Sequence, residues 1–232
     1  MVSLQQRATE LAEYMDDPNC DPIALRHSYA GFAIVNPLVS GWRKTYRRLI
    51  RPWLSATEPR SLLDVGTGGG DIARRLARWA RADGLQLSVT AIDPDPRAYQ
   101  YAIQHEPSAG VHFRRAHTAD LVAEGAAFDF VISNHVLHHL DEQDFAGLLA
   151  DTERLCNVVA VHADLVRTRW AYAGFGLATM FLFRDSFIRH DGLASIRRSY
   201  TLGELRDILP PRWRVIRQEP SRLLLTWSPG AR

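Results

Sequence analysis

The sequence predicts an α/β fold built on a mostly parallel sheet with helices on both faces. Three observations carry this reading. Short apolar runs alternate with helical periods from about residue 61 onward, a glycine loop follows the first run, and the chain closes on two strands around a Glu219-Pro220-Ser221 turn. A chain of 232 residues, 46% hydrophobic and 23% charged, suffices for a single domain with elaborations and excludes fibrous and disordered classes.

The elements follow in order. Residues 1–55 read as a helical cap, with Tyr29, Phe32, Trp42, Tyr46 and Trp53 scattered among polar positions. The basic stretch between Arg43 and Arg51 is most simply a solvated helix face. Residues 62–65 form the first strand, and Ile72, Leu76, Ala77 and Ala80 set a helical period that Gly84 ends. Residues 87–92 are a second strand, after which Asp95-Pro96 caps and opens a helix to residue 104. Residues 111–115 and 128–133 give a third and a fourth strand. Asp141 caps a helix over 142–155, whose Phe145, Leu148, Leu149 and Leu155 share one face. The fifth strand covers 158–161. Alternation then lapses until Thr201-Leu-Gly-Glu204, a capping box, opens a helix to residue 209. Pro210-Pro211 stops that helix before strands at 213–218 and 223–227. The organisation is one domain: a cap over 1–55, a ligand-binding core over 56–164, a lid insertion over 165–200, and a closing helix and antiparallel hairpin over 201–232.

Composition narrows the partners. The formal net charge is +2 with no long run of one sign, so nucleic acid is not expected. Only Cys20 and Cys156 are present, which suits reduced thiols and a cytoplasmic location. The first residues lack a signal-peptide pattern. No apolar run reaches the roughly 20 residues that span a bilayer. The closest stretch, residues 170–183, is interrupted by Gly174, Gly176 and Thr179 and reads as a lid helix, so stable membrane insertion is not expected.

In a parallel sheet, ligands gather at the carboxyl ends of the strands. After the first strand come Asp64, Gly66, Gly68 and Gly70. A dinucleotide loop counted from Gly66 would place its third glycine where Asp71 stands, so the match is to acidic-x-Gly-x-Gly-x-Gly. Glycines let the backbone pass close beneath a flat ligand, and a carboxylate near Asp64 can meet a cationic amine. Asp93 ends the second strand, where two ribose hydroxyls call for a bidentate acceptor; Asp95 fills the helix-capping role better. Asp120 follows the third strand and can accept from an adenine amino group, or serve as a surface carboxylate. Asn134 and His135 follow the fourth.

Together, Leu-Leu-Asp64-Val-Gly66-Thr67-Gly68-Gly-Gly70, Ile-Asp93-Pro94 and Ser-Asn134-His135-Val-Leu-His138-His139-Leu resemble the class I S-adenosylmethionine-dependent methyltransferases, on the quinone-biosynthesis and polyketide-tailoring side. The resemblance covers about residues 55–165. It implies a Rossmann-like seven-stranded sheet of order 3-2-1-4-5-7-6 and S-adenosyl-L-methionine as cofactor, leaving as S-adenosyl-L-homocysteine. It places Thr67 and Pro94 in the cofactor site, with Asn134 and His135 beside the methionyl end. In-line displacement from a sulfonium needs orientation more than covalent help, and a base is optional. For a phenol, an imidazole is the natural proton acceptor. His135, His138, His139 and His190 are candidates for base or acceptor orientation, though His139 also reads as a packed residue. No carboxylate at helical spacing joins His138 and His139, so no metal is expected.

Asp164, Arg167, Tyr172, Phe183 and Asp191 are candidates for the acceptor pocket. Asp164 with Arg167 also reads as an ion pair, and His190 with Asp191 as a turn. The amino-directed Asn/Asp-Pro-Pro-Tyr/Phe motif is missing after the fourth strand, which favours oxygen or carbon over nucleobase nitrogen. The expected activity is O-methylation of a small phenolic, quinol or polyketide-like acceptor in secondary metabolism. C-methylation of a quinone-type ring, or cofactor binding without transfer, are the alternatives. A homodimer stays open.

Overall fold

The computed structural model describes residues 3–104 and 109–230, with residues 37–39 described by their backbone alone. Seven strands form one sheet in the order β3-β2-β1-β4-β5-β7-β6. They are β1 (Arg60–Val65), β2 (Leu87–Ile92), β3 (Val111–Arg114), β4 (Phe128–Asn134), β5 (Cys156–Leu165), β6 (Arg214–Gln218) and β7 (Arg222–Trp227). The first five run parallel, and β7 pairs antiparallel with both β5 and β6. The seven-stranded order expected from the resemblance is the order found.

Each central strand feeds two cores, as a sheet covered on both faces requires. Leu63, Val65 and Val131 pack into one cluster, while Leu62, Phe130 and Ile132 pack into the other. The covering helices are α1 (Pro22–Val39), α2 (Trp42–Thr45, continued by a π-turn to Ile50), α3 (Asp71–Ala82), α4 (Pro96–Gln104), α5 (Thr118–Ala123), α6 (Glu142–Leu155), α7 (Arg169–Ala178), α8 (Ile188–Arg198) and α9 (Leu202–Ile208). Their ends obey the expected chemistry. Asp95 Oδ1 accepts from Arg97 N at 2.7 Å, Asp141 Oδ1 from Asp144 N at 2.8 Å, and Thr201 and Glu204 close a capping box.

Two segments depart from expectation. Strand β5 runs to Leu165, beyond the 158–161 read from the sequence, because its second half pairs with β7 from Ala160↔Trp227 to Leu165↔Arg222. His162 and Asp164 interrupt its apolar pattern although both are buried inside the strand. The cap is also less helical than expected. Residues 3–13 form no helix or strand, and one 3-10 turn, Tyr14–Asp16, precedes α1. Among the described residues, no helix is long and apolar enough to cross a membrane.

Candidate functional site

The site starts where β1 ends. Gly66, Gly68 and Gly70 all adopt left-handed backbone, at φ of 65°, 54° and 78°. At Gly66 a Cβ would come within 2.6 Å of Val136 Cγ2, so the loop is held against the turn after β4 as well. Thr67 N donates to Ile92 O at 3.0 Å, and Gly68 N donates to Asp93 Oδ2 at 2.8 Å. The loop is thereby fastened to the end of β2, and Pro94 lies exposed just beyond.

Three carboxylates converge here. Asp64 is buried and accepts from Thr67 Oγ1 at 2.7 Å; burial lifts its pKa to about 7 against that hydrogen bond, with the charges of Asp71 and Asp93 adding to the rise. Asp71, whose significance the sequence reading missed, is raised to about 6 by burial, although Asn36 Nδ2 donates to both its oxygens at 3.2 and 3.0 Å. Burial also raises Asp93, which accepts from Gly68 N and from Asp95 N while each oxygen keeps a further lone pair. A glycine cradle ringed by carboxylates that resist ionising fits a ligand with a ribose and a cationic end. The cationic end of such a ligand would restore the carboxylate charge, and its hydroxyls would find free lone pairs on Asp93.

The N-terminal cap completes this end of the sheet. Tyr29 lies over the loop, 3.9 Å from where a Cβ on Gly68 would stand, and its ring meets Tyr101 at 4.9 Å between centroids. Buried Trp42 donates from Nε1 to Asn134 Oδ1 at 2.9 Å, which fixes the side chain that ends β4. His135 follows in left-handed backbone at φ 61°, with its Nε2 against the guanidinium of Arg222. Burial and that guanidinium push the imidazole pKa well below its usual range, so it stays neutral.

Comparison with known proteins agrees with this geometry. A family model described as "Methyltransferase domain" matches residues 62–181, more than half of the chain. The chain belongs to the methyltransferase domain family. Its seven-stranded sheet order is that of the class I methyltransferase fold, and solved methyltransferases that it resembles in fold hold S-adenosyl-L-homocysteine or S-adenosyl-L-methionine. A "Ubiquinone biosynthesis O-methyltransferase" of Methylocella silvestris is 38% identical over 90 residues, 38% of this chain and 32% of that protein. A "tRNA1(Val) (adenine(37)-N6)-methyltransferase" of Pseudoalteromonas translucida is 27% identical over 56% of this chain and 62% of that one. The methyltransferase thus spans about a third of the length of the first relative and under two thirds of the second. Among solved structures, the plantazolicin methyltransferase BpumL in complex with SAH aligns with a TM-score of 0.65 at 13% identity, covering 92% of this chain and 91% of that chain, a likeness of fold.

The remaining candidates of the methyltransferase divide into two groups. Beyond β4, His138 is buried between two acids. Its Nδ1 is 2.7 Å from Asp164 Oδ1, its backbone N donates to Asp164 Oδ2 at 2.9 Å, and its Nε2 is 3.4 Å from Glu13 Oε1. Burial disfavours its charge, but the two carboxylates outweigh it and lift the pKa to about 9. Burial likewise works against the Asp164 carboxylate, and His138 reverses it, holding the carboxyl well below the usual range. His139 stands 3.3 Å from Asp16 Oδ2 and 3.8 Å from Glu13 Oε2. Asp164 and Arg167 are therefore not an ion pair. Asp164 serves His138, while Arg167 is buried and forks onto Glu204 and Ser199 O, fastening the strand end to α9.

The second group lies in the lid. Tyr172, Met180, Leu182 and Phe183 line a cavity of about 400 Å³ with Leu11, Ala12, His190 and three arginines, Arg184, Arg189 and Arg197. His190 belongs to α8 and not to a turn, and its Nδ1 is 2.8 Å from Asp191 Oδ1. Asp191 is buried away from any pocket role of its own: it accepts from Tyr14 N and Met15 N at 2.9 and 3.1 Å and so pins the cap to the lid. The lid's apolar side chains do not all face inward, since Trp170 is 88% and Phe181 72% exposed. Asp120 is exposed at the third position of α5, where it accepts from His117 N at 2.8 Å and closes a capping box. Sequence reasoning missed Glu13, Tyr29, Asn36 and Trp42. They sit in a cap whose contacts lie dozens of residues away, and only the aromatic content of residues 1–55 hinted at them.

Proposed function

We propose that this methyltransferase transfers methyl to the hydroxyl of a small, flat, largely apolar acceptor of phenolic, quinol or polyketide type. The observation that carries the reading is the lid cavity, where Tyr172, Phe183, Met180 and Leu182 offer ring and thioether surface beside one imidazole. The O-methyltransferase relative from Methylocella silvestris supports oxygen as the nucleophile.

When bound, the cofactor's sulfonium supplies an activated methyl group, so the chain's own task is placement. Asp64 and Asp71 hold the cationic end, and Asp93 takes the ribose hydroxyls. Asn134, steadied by Trp42, and the neutral His135 border the reacting end. His190 is the proton acceptor for the hydroxyl: Asp191 holds its Nδ1, leaving Nε2 as the free nitrogen. His138, charged between Asp164 and Glu13, cannot take a proton at neutral pH and does not act as that base.

The test is incubation of the purified chain with methyl-labelled cofactor and a panel of phenols and quinols, the products being assigned by mass and by NMR. A labelled methoxyl group supports the reading, and His190→Ala lowers kcat about 100-fold or more, within the range of general-base contributions. A label on ring carbon would replace it with C-methylation.

A further inference from the structure

The turn after β4 and the start of the chain meet in a cluster that neither cofactor binding nor proton removal uses. Each of two imidazoles has its Nδ1 side on a carboxylate: His138 on Asp164 at 2.7 Å and His139 on Asp16 at 3.3 Å. Each turns its Nε2 toward the same third carboxylate, His138 3.4 Å from Glu13 Oε1 and His139 3.8 Å from Glu13 Oε2. One ligand atom from each of Glu13, His138 and His139 lies within 4.8 Å of the others. Donors about 2.0–2.1 Å from one ion at tetrahedral angles stand roughly 3.3 Å apart, so the 3.4 and 3.8 Å separations from Glu13 are near that spacing and the two imidazoles draw together to close on a metal.

We propose that Glu13, His138 and His139 form a binding site for a divalent transition-metal ion of the zinc type. Carboxylates on the far nitrogens of metal-binding imidazoles fix the tautomer and raise ligand basicity, and Asp164 and Asp16 stand there. Glu13 is itself oriented by Ser195 Oγ, which donates to Oε1 at 2.8 Å. His138 Nε2 is buried and makes no geometrically sound hydrogen bond among the described residues, its nearest acceptor being Glu13 Oε1 at 3.4 Å, so it is aimed into the cluster.

Charge points the same way. Glu13, Asp16 and Asp164 bring three negative charges, against which Arg198 stands 3.9 Å from Glu13 and 3.4 Å from Asp16. In the metal-free chain the His138 proton offsets part of the surplus, and a bound dication displaces that proton and neutralises the rest. Two imidazoles and one carboxylate select zinc, cobalt or nickel over magnesium, which prefers oxygen donors. Glu13 and Ser195 are buried, whereas His139 is 29% exposed, so the ion reaches the site from the His139 side and keeps at least one position there for water or an acceptor oxygen. The site joins a residue of the cap to the turn that follows the cofactor-binding strand, so the metal clamps the cap shut.

The experiment uses the full chain, stripped with a chelator and desalted, then titrated with Zn2+ against a chromogenic competitor and with Co2+ by visible absorption. The expected result is one equivalent bound per chain, d–d bands of cobalt with nitrogen and oxygen donors, and a thermal midpoint raised by Zn2+ but not by Mg2+. Glu13→Gln and His139→Ala each weaken Zn2+ binding more than tenfold and abolish the midpoint shift. Asp164→Asn weakens it about 10- to 100-fold through His138. His139 is partly exposed, and circular dichroism of His139→Ala confirms that the fold survives. Absence of zinc binding at micromolar concentration, or binding that persists unchanged in the Glu13→Gln/His139→Ala double variant, overturns the proposal.

Discussion

At the residue scale the methyltransferase turns on backbone that only glycine holds cheaply and on carboxylates whose ionisation burial makes harder. Gly68→Val puts a β-branched residue at φ 54°, a conformation that costs roughly 1–2 kcal/mol before any ligand arrives, and adds bulk to the face proposed to receive the cofactor. Cofactor affinity falls at least about tenfold, measured by calorimetry on a variant that remains folded. Asp93→Ala removes the acceptors proposed for two ribose hydroxyls, each charged hydrogen bond being worth about 1.5–3 kcal/mol, and is expected to weaken binding about tenfold or more. Asp64 adds a pH signature. Its pKa near 7 in the free protein means that a cationic ligand displaces a proton below that value. Affinity therefore rises as pH climbs toward 7 and levels off above it, and calorimetry at pH 6 in buffers of different ionisation enthalpy detects the released proton. Affinity independent of pH between 6 and 8 would remove Asp64 from the cationic end. The glycines, Asp64 and Asp93 were legible in the sequence because their spacing is local. Asp71 was not, since its burial depends on Asn36 reaching across from α1.

At the element scale the lid and β5 carry separable consequences. Tyr172 lines the lid cavity, whereas Tyr29 of α1 covers the glycine loop, whose residues do not line that cavity. Tyr172→Ala accordingly raises the KM of the acceptor and leaves cofactor affinity within about twofold, under roughly 0.5 kcal/mol. The reverse pattern in steady-state kinetics would make the lid part of the cofactor core. Phe183 is the less discriminating probe, because its ring also packs against Gly31 of α1. In β5, His162 is buried between Ser133 Oγ at 2.8 Å and Thr152 Oγ1 at 3.1 Å, and burial lowers its pKa to about 3. The unfolded chain binds a proton at this imidazole below about 6.5 and the folded chain does not. The stability contributed by neutral His162 is present above pH 6.5 and is lost as pH falls toward 3, at up to ~1.4 kcal/mol per pH unit. Urea denaturation at pH 7, 5 and 4 shows the decline, and His162→Gln flattens it. The same buried polar residues explain why β5 read short in the sequence. An apolar run marks a strand only where its residues are apolar, and here Ser133, Thr152 and Trp213 enclose His162 while His138 takes Asp164.

At the scale of the whole molecule, sheet order and capped helices followed from patterns a few residues long, and the cap did not. Residues 3–21 carry no periodicity, yet they are held by distant groups: Arg97 donates to Asp17 O and Met15 O, Asp191 accepts from Tyr14 N and Met15 N, and Arg167 Nε donates to Leu4 O. Cap, core and lid thus close on one another around the carboxyl ends of the strands. Cofactor at 100 times its dissociation constant adds about 2.7 kcal/mol of stability to such a body, read as a raised thermal midpoint in wild type and a smaller shift in Asp93→Ala. The central claim, methyl transfer from S-adenosylmethionine to a hydroxyl of a flat acceptor, is met most directly by one measurement. Methyl-labelled cofactor, the purified chain and a panel of phenols and quinols are incubated together, and product mass and NMR are read with wild type and with Asp93→Ala. The expected product carries a single added methyl group on oxygen, formed by wild type and strongly reduced in the variant. Label on carbon or nitrogen, or no transfer to any flat hydroxyl acceptor by a chain that binds the cofactor, contradicts it.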